Sequence, residues 1–105
     1  MDKLETIFEK QTELQNKIGE VYNQEYINKI SLALMCEIHE VLETTQWKSW
    51  KKQQIFNREE YLKELVDAQC FLTNLCLAKG ITPDEFFKAY LEKNLENIRR
   101  QENNY

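Results

Sequence analysis

Chain breakers are almost absent from this sequence: two glycines and one proline in 105 residues. An all-β chain of this size needs many tight turns, and turns consume glycine and proline. Long helices are therefore the default, and the apolar residues recur at the helical period. Four segments follow. The first runs over 4–22 on Leu4, Ile7, Phe8, Leu14, Ile18 and Val21, and the second over 26–45 on Ile27, Ile30, Leu34, Ile38, Val41 and Leu42. A polar, lysine-bearing connection over 46–56 holds both tryptophans. The third helix starts after an N-cap at Asn57, with Glu60 placed for a capping box, and runs through Leu65, Ala68 and Leu75 to Lys79, where Gly80 supplies a left-handed stop. Thr82-Pro83-Asp84-Glu85 opens the fourth, which reaches about residue 101 on Phe86, Phe87, Tyr90, Leu91, Leu95 and Ile98. The expectation is an all-α, four-helix core spanning residues 1–105 as a single domain. Four helices in so short a chain bury a thin core, which favours association with a second copy.

With 42% hydrophobic residues the chain is too apolar to be disordered. A net charge of −4 argues against a nucleic-acid or membrane-surface partner. No apolar run approaches the roughly 20 residues that span a bilayer, and the charged start Met1-Asp2-Lys3-Leu4-Glu5 lacks a signal-peptide core. Cys36, Cys70 and Cys76 are odd in number and sit within apolar helical stretches. They read as small core residues of a cytoplasmic protein, neither a disulfide framework nor a zinc site.

The informative anomaly is acid where oil belongs. With Glu37 set at zero on a helical wheel, Ile30 lies at about +20°, Val41 at about +40° and Ala33 at about −40°; Glu40 falls on the stripe's edge at about −60°. With Glu64 at zero, Phe71 lies at about −20°, Leu75 at about +20° and Asp67 at about −60°. Two helices each carry an acid pair at i and i+3 whose first member lies in the apolar stripe. An inward-facing carboxylate costs several kcal/mol unless it is compensated, and the helices offer few inward-facing bases. A divalent cation can compensate four. Carboxylates without His or Cys are hard oxygen donors that select Mg²⁺ or Mn²⁺ over zinc. Such a site can hold a nucleoside triphosphate and activate a water. A single ExxE is more simply a solvated helix face; two pairs in register with apolar stripes are not.

Glu37-Ile38-His39-Glu40, then residues 41–63, then Glu64-Leu65-Val66-Asp67 resembles the ExxE…ExxD signature of the all-α, MazG-like NTP pyrophosphohydrolases. The stretch EIHEVLETTQWKSWK over 37–51 resembles the dimeric dUTPase family, where a WKxWK element follows the acids. YLEKNLENIRRQENNY over 90–105 resembles that family's YxxKNxxxNxxRQxxGY segment, and Gln11 and Gln15 fall where it places a Gln and an Asn. The resemblance implies a short form of the family. It implies Mg²⁺ on Glu37, Glu40, Glu64 and Asp67, hydrolysis of dUTP to dUMP and pyrophosphate, and a homodimer with composite sites. Gln15 departs from the family's Asn, Asn104 from its Gly, and its long insertion before the last helix is reduced here to Gly80–Pro83.

Each further residue has a plain alternative beside its functional reading. Lys93, Asn97 and Arg100 share one face of the last helix and can meet a triphosphate and sugar, or form a solvated basic helix end. Trp47, Lys48, Trp50 and Lys51 can stack a base and reach phosphate, or plug the helix connection. Gln11 can offer a donor and an acceptor to a uracil edge, Tyr105 can stack on a sugar or base, and His39 reads as a surface residue. Glu37 or Glu40 would position or deprotonate the attacking water. Two other readings stay open: the same site acting on dCTP or a modified nucleotide, and a non-catalytic nucleotide- or regulator-binding module.

Overall fold

A computed structural model describes residues 1–103, so the expectation placed on Tyr105 lies outside the described residues. The helices are α1 (Lys3–Ile18), α2 (Gln24–Glu43), α3 (Arg58–Ala78) and α4 (Pro83–Glu102). Each begins with a side-chain oxygen accepting a backbone N–H from three residues on: Asp2 from Glu5, Asn23 from Tyr26, Asn57 from Glu60 and Thr82 from Glu85. These bonds satisfy donors that the first turn leaves orphaned. Asn57 and Thr82 act as their sequence context predicts. Helix α1 is shorter than its apolar period implies, because Gly19 at φ 83° takes the left-handed stop and its N–H donates to the carbonyls of Gln15 and Asn16. Val21 and Tyr22 therefore belong to the turn, not the helix.

The main packing is α2 against α3, with α1 lying across α3. The all-α class and the four helices are as expected, and α4 is the most loosely attached of them. Among the described residues it packs on α1 alone, through its first turns, where Phe86 meets Phe8 at 6.4 Å between ring centroids. No residue of α4 is buried, and the row Phe87, Tyr90, Leu91, Leu95 and Ile98 faces solvent. Among the described residues the buried apolar set is Phe8, Tyr26, Ile30, Ala68 and Cys76. Cys36 is exposed, against its expected core role, while Cys70 is half-buried.

The single chain exposes 8567 Å², where a compact monomer of its mass exposes roughly 6,200 Å². Its radius of gyration, 17.0 Å, exceeds the roughly 13 Å of a compact domain of this length. The exposed apolar row of α4 contributes to both, together with exposed apolar residues on the other helices and the 46–56 connection such as Leu32, Met35, Ile55 and Leu62. No helix among the described residues is long and apolar enough to cross a membrane.

Candidate metal and nucleotide site

The acids of α2 and α3 meet where the two helices pack. Carboxylate oxygens of Glu37, Glu64 and Asp67 lie within 4.8 Å of one another. Glu37 and Glu64 are half-buried and Asp67 is exposed, so the apolar stripe carries them to the rim of the helix pair and not into its interior. Glu40 is exposed and stands outside that trio, yet its charge is felt there. The Glu64 carboxyl is held above the usual glutamate range, first by desolvation, then by Asp67, Glu37, Glu40 and Glu60. A cation can offset like charges crowded this closely, and an all-carboxylate oxygen set suits a hard divalent ion. The donor set therefore fits Mg²⁺ or Mn²⁺ on its chemistry.

One turn past Asp67 on α3, the Cys70 thiol is pushed up by burial, then by Asp67 and Glu37. Cys70 also lines a cleft of about 270 Å³ between α1 and α3, with Ile7, Lys10, Gln11, Val66 and Gln69. Apolar walls that carry a few polar groups are the usual make-up of a small-molecule site. Gln11 lines this cleft and Gln15 lies one turn further along α1, outside its lining; both are buried and partnered. Gln11 Nε2 donates to Asn74 Oδ1 at 2.9 Å, and the Tyr26 hydroxyl donates to Gln15 Oε1 at 2.5 Å. Thr73, fully buried, accepts at its hydroxyl from Gln69 Nε2 at 2.9 Å. Asn74 and Tyr26 escaped sequence reasoning. An Asn inside an apolar helix was the available signal for the first; Tyr26 carried none.

The 46–56 connection folds on its own polar staples. Gln46 Nε2 donates to the carbonyls of Lys48 and Lys51, and Gln46 Oε1 accepts from the Gln54 N–H. Trp47 and Trp50 meet edge to face at 5.9 Å, and Lys48 Nζ lies 5.2 Å from the Trp47 ring centroid. Glu43 gathers this end of α2: its Oε1 accepts from Trp47 Nε1 at 3.2 Å and lies 3.3 Å from His39 Nε2 and 4.0 Å from Lys48 Nζ. The loop and helix enclose a small cleft of about 130 Å³ that includes Glu43, Trp47, Lys48 and Lys51. Glu43 was missed although it extends the series Glu37, Glu40 by three more residues. His39 is a surface side chain, as expected.

Lys93, Asn97 and Arg100 are not brought to the acids within one chain, since no Cα of α4 lies within 8 Å of α2 or α3. Lys93 and Arg100 instead pair with Glu96, at 3.5 and 2.6 Å.

The sequence model of the dUTPase family matches residues 3–86, which takes in the acids and the tryptophan loop and ends before Lys93. Among curated proteins, the dCTP pyrophosphatase of Enterobacteria phage LZ5 is 37% identical over 71 residues, covering 56% of this chain and 41% of that protein. The dCTP pyrophosphatase of Enterobacteria phage T4 is 34% identical over 71 residues, covering 56% and 42%. The chain thus spans about two fifths of the length of these relatives. No solved structure gives a significant match.

Proposed function

This chain belongs to the dUTPase family, and from that premise we propose that it is a metal-dependent nucleoside triphosphate pyrophosphohydrolase that converts dUTP and water to dUMP and pyrophosphate. The single observation that carries the reading is the meeting of Glu37, Glu64 and Asp67 oxygens within 4.8 Å. These three would hold Mg²⁺, with Mn²⁺ as the alternative. A divalent cation bound there supplies neutralisation of triphosphate charge and a lowered pKa for water.

The chain's own groups do the rest. Glu40 lies outside the trio but close enough to bias Glu64. It is the carboxylate left to accept the proton as the water oxygen bonds to phosphorus and the α–β anhydride breaks. Lys48 and Lys51, on the loop tied to α2 through Glu43, would take phosphate charge in this reading, and the Trp47–Trp50 pair would offer a ring face.

The site is shared between two copies in this reading. Lys93, Asn97 and Arg100 lie on a helix that does not approach the acids of its own chain, and that same helix exposes its whole apolar row. Docking α4 on a second copy would bury the row and bring the helix that bears the three polar residues, on its other side, onto the partner. The excess exposed area of the single chain supports a homodimer.

A second reading keeps the site and changes the base to cytosine; it is favoured by the phage relatives, both named dCTP pyrophosphatases. Pyrophosphate release from dUTP, dCTP, dTTP and dATP, each with Mg²⁺ and with EDTA, tests both. Metal-dependent release greatest for dUTP is expected. Preference for dCTP moves the second reading to the front, and silence on all four leaves only a nucleotide-binding module.

A further inference from the structure

A chain with so little apolar interior can ill afford to spend it on amides, yet Gln11 and Asn74 are 9% and 3% exposed. Their bond crosses from α1 to α3 and joins residues 63 apart in sequence. It spends one donor of Gln11 and one lone pair of Asn74, which leaves the Gln11 carbonyl oxygen and the Asn74 amide nitrogen in hand. Among the described residues no fully buried side-chain polar atom lacks a partner, so neither of these two atoms is completely sealed.

The location is specific. Asn74 follows Asp67 by seven residues, two turns or roughly 10.5 Å along α3 and about 20° around it. Acid cluster and amide pair therefore stand at successive heights on one helix face. Beside this face, around α3 toward α1, lies the cleft of about 270 Å³, walled by Ile7, Val66 and Cys70, with Gln11, Gln69, Lys10 and Thr6 also on its lining. A flat heteroaromatic ring with one hydrogen-bonding edge suits apolar walls that carry a few polar groups, Gln11 among them.

We propose that Asn74 is a positioning residue for base recognition: by accepting from Gln11 Nε2 it holds the Gln11 carbonyl toward the cleft, where that oxygen accepts a hydrogen from the Watson–Crick edge of a pyrimidine. The inference rests on the pyrophosphohydrolase reading above and adds to it the group that orients the reader. A free glutamine amide turns over at little cost and presents either end. Fixed by Asn74, it presents an acceptor, which the N3–H of uracil or the N4 amino group of cytosine satisfies.

The test is kcat/KM for dUTP, dCTP, dTTP and dATP in the full chain with Mg²⁺, for wild type, Asn74→Asp, Asn74→Leu and Asn74→Ala. Aspartate keeps an acceptor opposite Gln11 Nε2; leucine and alanine remove it, and alanine does so without adding bulk. The ratio between dUTP and dCTP should collapse by roughly tenfold or more in the Leu and Ala variants, because an acceptor fixed at one point meets a donor on one of these bases and an acceptor on the other. The Asp variant should keep the ratio within about threefold of wild type. A merely structural Asn74 lowers all four substrates together and leaves the ratio alone. That result overturns the inference, as does an Asp variant that loses discrimination as fully as Leu. A wild-type chain that hydrolyses none of the four overturns the pyrophosphohydrolase reading itself, and this inference with it.

Discussion

The Tyr26 hydroxyl donates to Gln15 Oε1 at 2.5 Å, closing the turn between α1 and α2 over two side chains that are both buried. The bond sits just inside the left-handed stop at Gly19, so it fixes the angle at which α2 leaves α1. Burial, then the neighbouring Tyr22 and Glu20, push the Tyr26 phenol up to about 12.

That shift has a sign. A phenol with a raised folded-state pKa stabilises the fold below its unfolded value near 10 and loses that contribution as pH rises toward 12. Tyr26→Phe forfeits one hydrogen bond and should cost about 1 kcal/mol at pH 8. Between pH 10 and 12 wild type should lose roughly 2–3 kcal/mol that the Phe variant does not. Urea unfolding across this range should show the order of stabilities reversing; parallel curves would deny Tyr26 the role.

Glu64 carries a pH signature of its own in metal-free protein. Its carboxyl is raised by desolvation and by Asp67, Glu37, Glu40 and Glu60, so the folded state favours its protonated form. The benefit is complete below the ordinary glutamate pKa and is lost as pH climbs through the raised value. In EDTA, Glu64→Gln should melt higher than wild type at pH 7, and the gap should close toward pH 4. Mg²⁺ should raise the wild-type melting temperature and move the Gln variant much less.

The trio and Glu40 should separate kinetically. Asp67→Asn removes a member of the oxygen cluster and should both shift the Mg²⁺ midpoint upward and lower kcat by about 100-fold or more. Glu40→Gln lies outside the cluster and should lower kcat comparably with a smaller change in the Mg²⁺ midpoint. Metal titrations of pyrophosphate release check the pair, and full activity in either variant would falsify the assignment.

Helix α4 should govern assembly. Leu91 and Leu95 are each about half exposed in the single chain, so a charge there costs the isolated fold little, within about 0.5 kcal/mol. Leu95→Glu should convert a dimer to monomer in sedimentation equilibrium while leaving helix content unchanged. Activity should fall with it, because Lys93, Asn97 and Arg100 would no longer reach a partner's acids. A wild-type chain that sediments as a monomer would refute the shared site.

The helices were legible because their signals are local. Asn57, Thr82, Pro83 and Gly80 act within one turn, and the register of Glu37 and Glu64 with apolar neighbours follows from 100° per residue. Gly19 was equally local and was passed over only because Val21 continues the apolar period beyond it. By itself the sequence determined the all-α class, four helices, and two acid pairs that converge if α2 packs on α3. What no period could say is which faces meet. That Gln11 reaches Asn74, that Cys36 stays at the surface, and that α4 leans on α1 and leaves its apolar row bare depend on crossing angles between segments far apart in the chain. An apolar stripe states that a face seeks cover. Only the tertiary packing decides whether that cover comes from the same chain, and for α4 it does not.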